Sequence, residues 1–267
     1  MTSRGRLASL RPSTPSESQW AWVGDANPSV LVAGHSHRNA YSAAIAGGLT
    51  SPGVGVAVLV ARGPVDRSTP PQPDETYWHA ACDTPGRVLA VVWQGNQHNA
   101  RFLFGREPFR LHDCGEIGRV VPASLVSAVW EPSLDEIDAA VAPARAEHVV
   151  LLGTPPPKTD EAIRAGLPFS PAFRPLAAAG ESADAIRITP AALRVALWKI
   201  LQDDLEARAA RIGAVFVPVP ASAQTADGCL KPEYSLERDI SHANGAFGAM
   251  MLGEIEASLA RAEVPRS

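Results

Sequence analysis

The feature that most constrains the fold is a series of short, β-branched apolar runs separated by segments with helical periodicity. Five such runs occur, at residues 30–33, 54–61, 88–93, 149–152 and 214–219. Continuous apolar runs of this length are typical of strands that are buried on both faces of a parallel sheet. We therefore predict an α/β fold, with a doubly wound and mostly parallel sheet.

Helical patterns connect these runs, and two of them carry start signals. They lie at residues 38–46, 74–82, 133–146, 189–212 and 242–262. Ser133 and Glu136 have the spacing of a capping box, which predicts that a helix begins at Ser133. Thr189 followed by Pro190 predicts a second helix start, with the threonine as N-cap and the proline at the first helical position.

Composition narrows the class of protein. A chain of 267 residues with 46% hydrophobic side chains can build one substantial core. Residues 1–19 are rich in serine, proline and arginine and are predicted to form a flexible arm before a single domain at 20–267. The net charge of −4 argues against a nucleic-acid or membrane partner. Without an apolar run of membrane-spanning length or a signal-peptide pattern, we expect a soluble, cytoplasmic protein.

Polar residues stand directly after several predicted strands, where ligand sites of such sheets lie. Ser36 follows the first strand and precedes a helical pattern, so it is either an exposed nucleophile or a simple N-cap. Asn96 follows the third strand, as either an oxyanion donor or a turn residue. Asp239 lies three residues before His242, where it can orient the imidazole or cap the last helix.

Taken together, these segments resemble the SGNH hydrolases, also called the GDSL family of esterases and lipases. The family pattern places a serine block near the N-terminus, then a glycine block, a Gly-x-Asn block and an Asp-x-x-His block near the C-terminus. Ser36, Asn96 and the pair Asp239 and His242 follow this order. The resemblance implies a flavodoxin-like, three-layer α/β/α fold and acyl transfer through a serine.

The resemblance also implies a role for each matching residue. Ser36 is the expected nucleophile, His242 its general base and Asp239 the group that orients the imidazole. The expected oxyanion hole consists of the backbone N–H of Ser36, the N–H of Gly63 and the side-chain amide of Asn96. Gly53 and Gly55 are alternatives for the glycine.

Four polar residues near these blocks are predicted to line the substrate pocket: His35, His37, Gln94 and His98. Two of them depart from the family pattern, because His35 stands where the family has aspartate and Gln94 where it has glycine. Three of the four are histidines, which raises the alternative of a metal site. Such sites usually include carboxylates or a tighter cluster, so we predict neither a metal nor a cofactor.

Other enzyme classes fit less well. An α/β-hydrolase elbow requires a glycine where Arg38 stands. A dinucleotide fold lacks its third glycine, and the three prolines before Lys158 remove the N–H donors that a phosphate loop needs. The sequence thus predicts a serine esterase acting on a small-molecule ester. An acyltransferase with the same site and an inactive binding protein on the same scaffold remain alternatives.

Overall fold

The structure is a computed structural model with nine strands and seven α-helices among its described residues. It describes residues 19–25, 27–50, 53–60, 73–84, 86–95, 97–104, 109–111, 114–115, 118–171, 173–174, 178, 180 and 182–263. The strands are β1 (Gln19–Gly24), β2 (Val30–Gly34), β3 (Val54–Val60), β4 (Val88–Val92), β5 (Phe109–Leu111), β6 (Cys114–Gly115), β7 (Arg119–Val120), β8 (His148–Leu152) and β9 (Val215–Val217). The helices are α1 (Asn39–Ala46), α2 (Glu75–Asp83), α3 (Gln97–Phe102), α4 (Ala123–Val141), α5 (Asp160–Gly166), α6 (Ala191–Ile212) and α7 (Gly245–Glu263).

The main sheet has six strands in the order β1-β3-β2-β4-β8-β9. The last five are parallel, and β1 pairs antiparallel with β3 at one edge. Numbered along the chain, the parallel strands follow the order 2-1-3-4-5, which is the flavodoxin-like arrangement. The predicted fold class is therefore confirmed, and all five predicted strands are present.

Helices cover both faces of this sheet. On one face, α2, α4 and α6 pack their apolar side chains, including Trp130 and Leu197, against the strands. On the other face, α1 and α7 form a second core that contains Tyr41 and Phe247. The helices α1 and α7 approach so closely that a Cβ at Gly248 would lie 2.3 Å from the carbonyl oxygen of Ala40. The result is a three-layer α/β/α arrangement, as predicted.

Two predicted helix starts are wrong. The helix α4 begins at Ala123, so Ser133 lies inside it and forms no capping box. Pro132 removes one backbone hydrogen bond there, but the helix continues because its apolar face is buried in the core. At α6 the N-cap is Pro190, and the hydroxyl of Thr189 donates to the carbonyl of Phe102 instead of capping the helix.

Both ends of the chain also differ from expectation. The last helix begins at Gly245 instead of 242, so His242 lies in the loop before it. Residues 19–24 form the edge strand β1, while residues 1–18 of the predicted arm lie outside the described part of the chain. Within the described residues, no helix combines the length and the apolar character needed to cross a membrane.

Candidate active site

Ser36 lies at the carboxyl end of the parallel sheet. It opens a short 3₁₀ helix, Ser36–Arg38, that follows β2 and leads into α1. The turn depends on Gly34, which has a φ of +142°. A Cβ on Gly34 would lie 2.0 Å from the carbonyl oxygen of Val92 on the neighbouring strand β4. Only glycine permits this close passage, which places the serine just beyond the sheet.

Ser36, His242 and Asp239 form a hydrogen-bonded chain. The Nε2 atom of His242 lies 2.9 Å from the Oγ atom of Ser36. Its Nδ1 atom lies 2.9 Å from the Oδ2 atom of Asp239. This is the geometry of a nucleophile, a base and an orienting carboxylate. Residues 206 positions apart in the sequence thus meet at one edge of the sheet.

The Asp239 carboxylate is held by backbone donors as well as by the imidazole. Its Oδ1 atom accepts the backbone N–H of Ser241 at 2.7 Å and that of His242 at 2.5 Å. Burial alone raises the pKa of Asp239, but the hydrogen bonds and the attraction of His242 outweigh this and hold the pKa well below its usual range. Asp239 is therefore ionised at neutral pH.

A cavity of about 490 Å³ opens beside the serine. Its described lining consists of His35, Ser36, Gln94, Gln97, Ala100, Arg101, Val129, Trp130 and Ser133. Arg101 is the one ionisable side chain in this set besides His35. Burial, followed by the charge of Arg38, lowers the pKa of His35 to about 4, so this imidazole is neutral at pH 7. The cavity thus offers mainly uncharged surface to a ligand.

The structure brings two of the predicted pocket residues to this cavity, namely His35 and Gln94. The backbone N–H of Gln94 donates to Nδ1 of His35 at 3.1 Å, which joins the ends of β2 and β4. His35 also packs edge-on against Trp93, with a centroid distance of 4.9 Å. His35 therefore bridges the ends of β2 and β4.

His37 and His98 lie deeper than predicted, outside the described lining of the cavity. The ring of His37 packs against that of His242 in a tilted arrangement, with a centroid distance of 4.6 Å. Both side chains are buried, and neither has a hydrogen-bond partner for its ring nitrogens. Burial is the main cause that lowers the pKa of His98 to about 3 and the pKa of His37 well below its ordinary value. The rings of His37 and His98 are therefore neutral at pH 7.

The remaining predicted oxyanion donors, Gly63 and Asn96, lie outside the described residues, as does the Gly63 loop. Next to Asn96, the chain takes a tight turn in which Gln94 has a φ of +40° and Gly95 a φ of +92°. A Cβ on Gly95 would lie 2.9 Å from both His37 and Thr154. Among the described residues, no group of three histidine, cysteine or acidic side chains is placed to hold a metal ion.

The residue that sequence reasoning missed is Lys158, which was considered only as part of a poor phosphate loop. Its side chain is 1% exposed, and its Nζ atom lies 3.8 Å from the Oδ1 atom of Asp239. The available signal was its position directly after a run of three prolines at the carboxyl end of β8. That is the same edge of the sheet as Ser36.

No family model and no curated protein sequence matches the chain. Similar solved structures include phospholipase A1 from Streptomyces albidoflavus, at 13% identity and a TM-score of 0.45 over 87% of this chain and 100% of that chain. An acetyl-xylooligosaccharide esterase from Geobacillus is 13% identical, with a TM-score of 0.42 over 89% of this chain and 95% of that chain. A GDSL-like lipase from Bacteroides thetaiotaomicron is 11% identical, with a TM-score of 0.37 over 87% and 86% of the two chains. The fold assignment rests on the strand order of the main sheet.

Proposed function

We propose that this protein is a serine esterase of the SGNH type. The observation that carries the proposal is the hydrogen-bonded chain from Asp239 through His242 to Ser36, which ends in an open cavity. The Nε2 atom of His242 is within hydrogen-bond reach of the proton that it would remove. The cavity gives an ester access to the same serine.

The proposed reaction begins when Ser36 Oγ attacks the ester carbonyl and His242 takes the hydroxyl proton. Asp239 stabilises the imidazolium that forms and keeps Nδ1 protonated. The tetrahedral intermediate collapses as His242 returns the proton to the departing alkoxide, which leaves an acyl-enzyme on Ser36. Water, deprotonated by His242, then attacks the acyl group and releases the acid. Transfer to another hydroxyl or an amine would use the same intermediate.

The negative charge of the tetrahedral intermediate needs donors beside Ser36. The proposed donors remain the N–H groups of Ser36 and Gly63 and the amide of Asn96, as the family resemblance implies. Gln94 is the competing donor, because its side chain lines the same cavity as Ser36. The substrate is proposed to be a small-molecule ester or another acylated compound.

The decisive experiment is labelling with a fluorophosphonate, followed by mass spectrometry of the peptides. We expect one adduct, on Ser36, and none in Ser36→Ala. Ser124→Ala is the matched control, because Ser124 is an exposed serine on α4 outside the described cavity lining. An adduct on another serine, with Ser36 unmodified, would disprove the assignment, and a complete lack of labelling would favour the inactive binding protein.

The base and its partner are tested by the same reagent. His242→Ala should abolish labelling because His242 is the one base that the described hydrogen bonds place at the Ser36 hydroxyl. Asp239→Asn should leave a small fraction of the rate, because the base is present but loses its preferred tautomer. Wild-type labelling kinetics in His242→Ala would contradict the mechanism.

A further inference from the structure

The loop that carries Asp239 and His242 accepts two hydrogen bonds from the buried side chain of Lys158. We call residues 236–242 the acid–base loop; its ends meet where the backbone N–H of Leu236 donates to the carbonyl of His242 at 3.1 Å. The ammonium group of Lys158 lies within this closed loop. It donates to the carbonyl of Leu236 at 2.6 Å and to that of Asp239 at 2.7 Å.

Lys158 is itself firmly anchored. The carbonyl of Lys158 accepts a hydrogen bond from Arg194 of α6 at 2.9 Å, and the carbonyl of the preceding Pro157 accepts the N–H of Leu230 at 2.9 Å. Directly after it, Thr159 caps α5 by accepting the N–H of Ala162. The lysine therefore connects the acid–base loop to the rigid carboxyl edge of the sheet.

The middle of this loop also contacts α5 and the segment after it, because Ile240 packs against a cluster that includes Ile163 and the Arg238 guanidinium lies 5.1 Å from the centre of the Phe169 ring. Among the described hydrogen bonds, Lys158 is the one side chain from outside the loop that donates to the loop's backbone carbonyls. Leu236 is 44% exposed, and Arg238 has a φ of +55°, a conformation that non-glycine residues rarely adopt. Loss of a donor is unfavourable for each of the partly buried carbonyls of Leu236 and Asp239. A single ammonium satisfies both of them and also faces the Asp239 carboxylate.

We propose that Lys158 is the positioning residue of this site, whose ammonium holds the acid–base loop so that His242 stays within reach of Ser36. The inference rests on the proposed function, and it adds a residue on β8's carboxyl side that touches neither the nucleophile nor the cavity. Removing the ammonium releases both carbonyls at once. The loop then samples positions in which the Nε2 to Oγ contact of 2.9 Å is lost.

The charge of Lys158 makes this positioning dependent on pH. Burial lowers the pKa of Lys158 to about 8, against the opposing attraction of Asp239. His37 and His242 are the titratable groups on the site side, while Arg194 and its partner Asp160 lie on the backbone side. Above pH 8 the amine loses one N–H donor and its charge, so its hold on the carbonyls weakens.

The lowered pKa of Lys158 also changes the free energy of unfolding with pH, and the direction of that change distinguishes a loss of positioning from unfolding. In the unfolded chain a lysine titrates near 10.5, so between pH 8 and 10.5 the unfolded state binds more protons than the folded state at this residue. Its contribution to the free energy of unfolding therefore rises with pH in that window. If activity falls between pH 8 and 10.5, the titration of Lys158 cannot have caused it by unfolding the protein.

The test compares Lys158→Met with Lys199→Met. The second variant is the matched control, because Lys199 is an exposed lysine on α6. At pH 7 we expect Lys158→Met to lower kcat by about 100-fold with KM within about twofold, since displacements of about 1 Å can cost that much. Hydrogen exchange in residues 236–242 should accelerate about tenfold or more, while α6 keeps its protection. The wild-type kcat/KM should decline above pH 8, and the residual activity of Lys158→Met should show no such decline.

Wild-type kcat and unchanged loop protection in Lys158→Met would overturn the proposal. If Lys158→Met does not fold, Lys158→Gln decides, because its shorter, uncharged side chain cannot donate to both carbonyls as the ammonium does. Wild-type exchange of the acid–base loop relative to α6 in Lys158→Gln would refute the tether. The exchange measurement needs no enzymatic turnover, so failure of Ser36 labelling would remove the proposed function without affecting this result.

Discussion

A substitution at Gly166, the last residue of α5, would displace Asp239 directly from outside the described cavity lining. A Cβ at this position would lie 2.7 Å from both the carbonyl carbon and the carbonyl oxygen of Asp239, and 3.1 Å from its nitrogen. Carbon atoms in contact normally lie about 3.5–4.0 Å apart, so Gly166→Ala must push the two backbones apart by roughly 0.8 Å. The displaced backbone is that of Asp239, the proposed orienting group of His242.

The expected magnitudes follow from two opposing effects. Alanine is favoured over glycine in a helix by about 1 kcal/mol, while forced packing costs about 1–3 kcal/mol. The net loss of stability therefore lies between zero and about 2 kcal/mol, and the variant should fold. A shift approaching 1 Å in the orienting group should lower kcat by about 10- to 100-fold.

Steady-state kinetics on a short-chain aryl ester, with urea unfolding in parallel, measures both effects. Gly253→Ala is the matched control, because Gly253 is a helical glycine on α7 whose added Cβ meets no described atom within 4 Å. It should gain about 1 kcal/mol of stability with unchanged kcat. Wild-type kcat in Gly166→Ala would refute the reasoning, because it would show that the position of Asp239 does not limit the reaction.

Two further predictions concern His98 and Asn96. In His98→Leu, the free energy of unfolding should decrease less than in the wild type as the pH falls below 6.5. The reason is that His98 of the unfolded wild type binds a proton in this range, while burial keeps His98 of the folded protein neutral to about pH 3. Urea unfolding at pH 7 and pH 5 measures this, and an equal loss in both proteins would contradict it. Asn96→Ala should lower kcat about 100-fold with little change in KM, since an oxyanion donor acts in the transition state. If kinetics show this effect in Gln94→Ala instead, Gln94 is the donor.

The parallel strands could be predicted because each is a continuous apolar run, and burial on both faces requires that pattern. The hydrogen-bonded arrangement of Ser36, His242 and Asp239 could also be predicted from the sequence. A flavodoxin-like sheet collects the residues that follow its strands at one edge, which predicts the place of Ser36. The pairing of Ser36 with His242 and Asp239 was predicted from the resemblance to the SGNH pattern.

The errors arose where a local pattern has several structural solutions. The Ser133 and Glu136 spacing occurs equally inside a helix, and burial of the α4 face extended that helix past the proline. Lys158 was missed because its partners, Leu236 and Asp239, lie 78 and 81 residues away. No local motif encodes a hydrogen bond from an ammonium to backbone carbonyls, so only the folded chain shows it.

The antiparallel strand β1 has a consequence for handling the protein. Its six residues pair with β3 from Gln19 opposite Val60 to Gly24 opposite Gly55, and they cover an edge whose sequence is Val-Gly-Val-Ala-Val-Leu-Val. A bare edge of that composition is a template on which other chains can add strands. By pairing with β3, residues 19–24 protect this edge from aggregation. A truncation that removes them would expose a surface suited to fibril growth.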